Sequence, residues 1–244
     1  MYTNAIENYL KQHSYHHIHL KAVLFDMDGV LFNSMPNHAR AWNEAMKHYG
    51  MHLSCEEAYL HEGRTGASTI NIVSQRERGH DATPEEIERI YHTKTEIFNS
   101  YPKAERMPGA WEAIRQMKAD GLTIMVVTGS GQASLLERLN RNFPDTFRQE
   151  LMVTAYDVKH GKPSPEPYLM ALEKAGLHPN EAIVVENAPM GVHAGVAAGI
   201  FTVAVNTGPL PDRVLLDEGA NLLLPSMLAL SEQWEELYKE LGEE

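Results

Sequence analysis

Two aspartates stand two residues apart at the end of an apolar run near the start of the chain. The run 22–25 has the β-branched and aromatic character of a buried strand, and Asp26 and Asp28 follow it directly. Residues i and i+2 of a strand share a face, so both carboxylates point the same way from the carboxyl edge of a sheet, where open α/β folds bind ligands. Taken alone, such a pair also caps turns. Two close carboxylates repel each other, which predicts a cation between them.

More polar groups follow the later apolar runs. They are Thr128, Gly129 and Ser130 after the second run, Lys162 in the loop after the third, and Glu186 and Asn187 after the fourth. The carboxyl ends of parallel strands share one edge, so we expect these groups to meet the two aspartates. The set suits phosphoryl transfer. It offers oxygen ligands for Mg²⁺, a carboxylate nucleophile, a second carboxyl for proton transfer, and cationic, hydroxyl and amide donors for the phosphoryl oxygens.

The elements that must position these groups follow an alternating pattern. Strands are predicted at 22–25, 123–128, 151–156, 182–186, 201–206 and 221–224, and helices near 108–120, 132–143, 165–175, 189–198, 212–219 and 227–241. The segment between the first two strands is helical throughout, with helices near 36–49, 54–61, 67–79 and 84–99. This pattern predicts an α/β fold, a doubly wound, Rossmann-like parallel sheet with an inserted all-α cap.

The domain organisation follows from that pattern. Residues 21–34 and 104–244 form the predicted core, and residues 35–103 form the cap. Residues 1–20 are predicted to be an N-terminal extension. Its apolar residues are spaced for a short amphipathic helix, but the favoured interpretation is a polar, partly ordered leader with several histidines; the spaced residues are Ala5, Ile6, Tyr9 and Leu10. Ser54 and Thr83, each followed three residues later by glutamate, predict capping boxes at two cap helices.

Composition narrows the class of protein. The chain has 244 residues, 43% hydrophobic and 22% charged, with a net charge of −12, which argues against nucleic acid and anionic membranes as partners. A single cysteine excludes an internal disulfide and a thiolate metal cage. We find neither a signal peptide nor an apolar run of membrane-spanning length and expect a cytoplasmic protein. An anionic substrate therefore needs local positive charge at its site.

The motifs resemble the haloacid dehalogenase superfamily, in its β-phosphoglucomutase-like branch with a helical cap. The matching segments are DMDGVLFNS, VVTGS, GKPSPEPY and VVENAPMGVHAGVAAG. The resemblance implies that Asp26 is the nucleophile that becomes phosphorylated and that Asp28 is the general acid/base. It also implies that Thr128 and Lys162 bind the transferring phosphoryl group. Mg²⁺ is the implied cofactor, held by Asp26, Asp28, Glu186 and Asn187.

Three positions depart from the branch's pattern. Asn187 stands where aspartate is usual, so the metal site loses a charge. In the cap loop, Glu62 and Gly66 stand where the sugar-phosphate mutases typically carry lysine and arginine. A carboxylate over the site favours a substrate that arrives with its own Mg²⁺, either as a metal ligand or by orienting metal-bound water. Arg64 is a candidate substrate-binding cation in the same loop, and His38 matches the mutases.

These departures, with the segments HEGRTGAST and AVNTGPLPD, resemble the branch's inorganic pyrophosphatases. Our first prediction is therefore hydrolysis of a small phosphorylated substrate, best inorganic pyrophosphate. The alternatives are a β-phosphoglucomutase and a broad sugar- or nucleotide-phosphate phosphatase. A phospho-acceptor signalling module explains neither Asp28 nor the cap. A cap that must swing to admit substrate predicts a monomer.

Overall fold

The structure is a computed structural model that describes residues 2–130 and 135–242. Its strands are β1 (Ala22–Phe25), β2 (Thr123–Val126), β3 (Ala182–Glu186), β4 (Phe201–Val205) and β5 (Leu222–Leu224). Its helices are α1 (Thr3–His13), α2 (Met35–His48), α3 (Cys55–Leu60), α4 (Gly66–Arg78), α5 (Pro84–Ser100), α6 (Ala110–Ala119), α7 (Leu135–Asn142), α8 (Glu166–Ala175), α9 (Pro189–Ala197), α10 (Asp212–Leu216) and α11 (Met227–Gly242). The predicted helix 132–143 begins outside the described residues.

The five strands form one parallel sheet in the order β2-β1-β3-β4-β5. Successive residues of β1 pack on opposite faces: Val23 and Phe25 join one apolar cluster, whereas Ala22 and Leu24 join the other. Both faces are therefore covered by helices, which is why the strands read as continuous apolar runs. The doubly wound α/β fold with a helical cap is confirmed.

The cap consists of α2 to α5 and has an apolar core of its own. Met46, Ile70, Val73 and Ile90 are buried together there. Two adjacent linkers join the cap to the sheet, and they pair with each other through the backbone bridge between Phe32 and Arg106. The cap is thus a separate layer held at one end of β1.

The predicted strand 151–156 is wrong. Only Val153 bridges to Val127, beside a short 3₁₀ turn at Gln149–Leu151. The side chain of Asp157 accepts hydrogen bonds from both the backbone amide and the hydroxyl of Thr154, at 2.8 and 2.7 Å. These local bonds turn the chain away from the sheet edge after a single bridge.

The prediction of a polar, partly ordered N-terminal leader is also wrong. Helix α1 buries Ile6 and Tyr9 on one face, and Tyr2 just before it is buried too. The Tyr9 hydroxyl donates to the Gly199 carbonyl at 2.8 Å, and its ring meets Phe201 edge-on. The apolar residues were visible in the sequence, but their partners lie almost 200 positions away.

The capping boxes differ from each other. Thr83 and Glu86 exchange both hydrogen bonds at the start of α5, whereas Ser54 accepts from the Glu57 amide without the reciprocal bond.

Among the described residues, no helix combines the length and the apolar character needed to cross a bilayer.

Candidate active site

The turn after β1 brings the aspartates to the middle of the sheet edge. Gly29 adopts φ +87°, a left-handed conformation that glycine reaches without strain. A Cβ atom at this position would lie 2.1 Å from the Asn187 amide nitrogen, so the turn and the end of β3 touch only because residue 29 has no side chain. This close approach joins the two strand ends that carry the predicted metal ligands.

A buried lysine connects two carboxylates at this edge. The Lys162 ammonium lies 2.5 Å from Asp26 Oδ1 and 2.6 Å from Glu186 Oε1, and it also donates to the Val127 carbonyl. Burial would lower the pKa of Lys162, but the two carboxylates outweigh burial and raise it. Lys162 is therefore a fixed positive charge against the predicted nucleophile.

Glu186 uses its oxygens to hold this arrangement. Oε1 also accepts from the Tyr168 hydroxyl at 2.8 Å, and Oε2 accepts the backbone amides of Asn187 and Ala188 at 3.0 and 3.3 Å. In this arrangement the side chain of Glu186 positions Lys162 and offers few free lone pairs. Its predicted place in the metal site is thus weaker than that of its neighbour Asn187.

The nucleophile lies in an unusual electrostatic environment. Burial raises the pKa of Asp26 to about 7, and the Glu186 carboxylate adds to that rise, against the opposing charge of Lys162. A carboxylate with a raised pKa lacks enough positive charge around it. A cation placed beside Asp26 would oppose this shift.

Asp28 is held differently. Its Oδ1 accepts from the Ser34 hydroxyl at 2.5 Å and lies 3.4 Å from His38 Nε2. Burial would raise the pKa of Asp28, but His38 and Ser34 outweigh burial and hold the pKa well below its usual value. Asp28 is therefore ionised in this arrangement and ready to accept a proton.

The chain of contacts continues into the cap. Lys94 Nζ lies 2.8 Å from His38 Nδ1. An ammonium can only donate, so Nδ1 is the acceptor and the His38 proton sits on Nε2, facing Asp28. Burial lowers the pKa of Lys94 to about 8.

The cap loop brings a second acid over the edge. Glu62 Oε2 accepts from the Asn187 amide at 3.2 Å, across the boundary between cap and core. Burial and the neighbouring Asp26 raise the pKa of Glu62 well above its usual value. Gly63 lies so close to Lys162 that an added Cβ would be 3.2 Å from its Cδ. The cap loop is thus closed on the core.

Two buried oxygens in this region accept no hydrogen bond from any described residue: Glu62 Oε1 and Asn187 Oδ1. Such atoms are costly unless something binds them, and oxygen ligands suit Mg²⁺. No group of three or more His, Cys, Asp or Glu side chains among the described residues is arranged to hold a metal. Since amide and backbone oxygens are also ligands, Asp26, the Asp28 carbonyl, Asn187 and Glu62 still make a fitting set.

The predicted residues share one cavity of about 410 Å³ between core and cap. Those that line it are Asp26, Asp28, Glu186, Thr128, Gly129, Ser130, His38, Glu62 and Arg64. Lys162 and Asn187 lie beneath it, bonded to Asp26 and Glu62. Thr128 Oγ1 accepts from the Ser130 amide at 3.1 Å, which fixes the loop after β2. Arg64 has a buried Nε without a partner among the described residues.

Several cavity residues were missed by our sequence analysis. They are Tyr91, Lys94, Phe98, Arg138 and Tyr156. Lys94 had a signal in the sequence, because it interrupts the apolar face of the predicted helix 84–99, in step with Ile90 four residues earlier. A lysine on such a face is either a charge that extends to solvent or a functional group.

Gly66 explains part of the cavity's shape. A Cβ atom there would lie 2.3 Å from the Tyr91 ring. The tyrosine therefore fills the space into which a side chain at residue 66 would project. The Tyr91 ring therefore occupies the space that an arginine side chain at this position would need.

Comparison with known proteins places this geometry in context. The family model for haloacid dehalogenase-like hydrolases matches residues 23–205. Hexitol phosphatase A of Escherichia coli K12 is 32% identical over 188 residues, covering 76% of this chain and 83% of that protein. The phosphorylated carbohydrates phosphatase of Thermotoga maritima is 30% identical over 206 residues, covering 84% of this chain and 94% of that protein.

Among solved structures, a putative β-phosphoglucomutase from Bacteroides vulgatus is similar throughout. It has a TM-score of 0.97 and 67% identity, and the match covers 99% of this chain and 98% of that one. These relatives support the β-phosphoglucomutase-like branch. They do not support the resemblance to an inorganic pyrophosphatase, because their names point to phosphorylated carbohydrates.

Proposed function

The chain belongs to the haloacid dehalogenase-like hydrolases, and on this premise we propose that it is a Mg²⁺-dependent phosphatase acting through an aspartyl-phosphate on Asp26. The observation that carries the proposal is the buried contact of the Lys162 ammonium with Asp26, 2.5 Å apart at the carboxyl edge of the sheet. A lysine so placed lies beside any phosphoryl group that Asp26 attacks.

In the first step an Asp26 oxygen attacks phosphorus, the bond from phosphorus to the leaving oxygen breaks, and the leaving oxygen takes a proton from solvent, because Asp28 is ionised in this arrangement. Lys162, the Thr128 hydroxyl and the amides of Gly129 and Ser130 stabilise the charge on the phosphoryl oxygens. In the second step water attacks phosphorus, the bond from phosphorus to the Asp26 oxygen breaks to release phosphate and restore the Asp26 carboxylate, and Asp28, ionised in this arrangement, accepts the proton of the water. Mg²⁺, when bound by Asp26, the Asp28 carbonyl, Asn187 and Glu62, neutralises charge on the phosphoryl group.

We propose a phosphorylated carbohydrate as the first candidate substrate. The carbohydrate phosphatases and the putative mutase among its relatives support this class. The cavity has room beyond the phosphoryl position, and aromatic side chains of the cap line it, namely Trp42, Tyr91 and Phe98. Such a wall suits the apolar face of a small organic leaving group.

Inorganic pyrophosphate is a second candidate, favoured by the cap loop. Glu62 Oε1 is buried without a partner among the described residues, and the other oxygen of this carboxylate accepts from the predicted metal ligand Asn187. A carboxylate there suits a substrate that brings its own Mg²⁺.

A phosphate-release screen with Mg²⁺ tests both candidates. The panel contains hexitol and hexose phosphates, nucleotide phosphates and pyrophosphate, with Asp26→Asn and added chelator as controls. Faster release from carbohydrate phosphates supports the first candidate, and faster release from pyrophosphate supports the second. Conversion of glucose 1-phosphate to glucose 6-phosphate without net phosphate release would instead establish a mutase. Release that survives Asp26→Asn would overturn the proposed nucleophile.

A monomer that works in the cytoplasm on a small anionic substrate stays a prediction. Size-exclusion chromatography with light scattering measures the first part. A single species of 27.4 kDa is the expected result.

A further inference from the structure

One cation of the cavity is unused by the chemistry described above. Arg138 lies on α7, is half-buried and lines the cavity from the core side. Among residues 2–130 and 135–242 its guanidinium has neither an ion pair nor a hydrogen-bond acceptor. Its described contact is with the ring of Phe32, whose centroid lies 4.0 Å from the guanidinium carbon.

This contact holds the guanidinium in place without neutralising it. An aromatic face attracts a cation but leaves all five of its N–H donors free. A partly buried arginine without an anionic partner is suited to bind a carboxylate or a phosphate, because its guanidinium group can donate hydrogen bonds to two oxygens at once.

Arg138 lines the cavity that holds Asp26, whereas Lys162 is the cation in hydrogen-bond contact with Asp26. Lys94 reaches the same region from the cap and uses one donor on His38. Two cations, one from each domain, therefore line the cavity that holds Asp26.

We propose that Arg138 binds a second phosphate, carried by the part of the substrate that leaves. The inference rests on the proposed function and deepens it. The favoured substrates then carry two phosphates, as in pyrophosphate or a sugar bisphosphate. Monoesters with an uncharged leaving group lack the group that Arg138 binds.

The test compares substrates that differ in the leaving group. The pairs are pyrophosphate with p-nitrophenyl phosphate, and a hexose bisphosphate with the hexose monophosphate. In Arg138→Gln we expect the ratio of kcat/KM, bisphosphorylated over monophosphorylated, to fall at least tenfold for one of the pairs. The pair that responds identifies the source of the second phosphate. Arg138→Lys should recover part of the ratio.

Arg141→Gln is the matched control, because Arg141 lies one turn further along α7, exposed and paired with Glu137. It should leave both ratios unchanged. Equal losses for both members of each pair in Arg138→Gln, or no loss, would overturn the inference.

A binding measurement separates this inference from the proposed function. Calorimetry of pyrophosphate and of the hexose bisphosphate on Asp26→Asn with Mg²⁺ needs no turnover. We expect the Kd of one of them to rise at least tenfold when Arg138→Gln is added. An unchanged Kd for both overturns the role of Arg138. Absence of turnover in the native protein, with this effect intact, overturns only the proposed function.

Discussion

At the residue scale the site is a balance of buried charges. Lys162 faces Asp26 and Glu186 at hydrogen-bond distance, and each of the three side chains is at most 9% exposed. Removing one partner of such a group leaves an uncompensated buried charge, which is strongly destabilising. A variant of Lys162 would therefore change both the stability and the activity of the protein. Variants of Glu62 and Lys94 allow the two effects to be separated.

Glu62→Gln should weaken Mg²⁺ binding at least tenfold. The change removes the charge of a proposed ligand whose Oε1 has no partner among the described residues. In the absence of metal, the same change should raise the melting temperature, because the raised pKa of Glu62 shows that its charge is unfavourable there. Calorimetric titration with Mg²⁺ and thermal unfolding measure the two effects.

Glu56→Gln, an exposed acid on α3, is the control and should change neither quantity. The same Mg²⁺ affinity in Glu62→Gln and in the native protein would exclude Glu62 as a ligand.

Lys94 predicts a pH dependence. Its pKa of about 8 in the folded protein means that the ammonium is lost above that pH. The KM for anionic substrates should therefore rise above about pH 8, and Lys94→Arg, which stays charged, should remove this rise. Steady-state kinetics between pH 6.5 and 9.5 provide the measurement, and an unchanged rise in the arginine variant would contradict it.

The free energy of unfolding should increase over the pH range in which substrate binding weakens. The unfolded chain has an ordinary lysine pKa of 10.5, above the folded value of about 8, so between these values it binds more protons than the folded protein. The Lys94 contribution to the free energy of unfolding therefore grows as pH rises through this window.

At the element scale, α5 is the helix that carries cap residues into the cavity. Tyr91, Lys94 and Phe98 lie along one side of it. Its start is fixed by the reciprocal bonds of Thr83 and Glu86, at 3.2 and 2.9 Å. A shift of this helix start would move all three cavity residues together.

Thr83→Ala should lower the free energy of unfolding by about 1 kcal/mol, since it removes an N-cap. Glu86→Ala removes the reciprocal bond, and the double variant should cost less than the sum of the two single changes. Urea denaturation of the four proteins measures this coupling. Strict additivity would show that the two bonds act independently.

At the scale of the whole molecule, the N-terminal helix belongs to the core. Tyr9 is 1% exposed and joins α1 to β4 through Phe201. Tyr9→Ala should therefore destabilise the protein by about 3 kcal/mol. Asn8→Ala, exposed on the same helix, is the control and should cost under about 0.5 kcal/mol. Denaturant unfolding measures both, and equal values would mean that α1 contributes little to the core.

The sequence alone determined the sheet, most of the helices and the chemistry of the strand ends. These features depend on local patterns: apolar periodicity, N-cap residues and polar groups at the ends of β1, β2 and β3. Asp26, Thr128 and Glu186 could be predicted to meet because parallel strands end at one edge, whereas Lys162 was assigned to that edge through the predicted strand 151–156. The false strand at 151–156 shows the limit of this reasoning, because Thr154 and Asp157 make a local turn that competes with the sheet.

Only the tertiary structure decided what the cap brings to that edge. Glu62 contacts Asn187 across 125 positions, and Lys94 reaches His38 across 56. The direction of a side chain at a domain boundary depends on how two separately folded layers pack, and no local pattern encodes that. The positions of Arg138 and of the Tyr91 ring beside Gly66 likewise depend on tertiary packing and not on a local pattern. The sequence could therefore assign the reaction, whereas the shape and charge of the leaving-group region required the folded molecule.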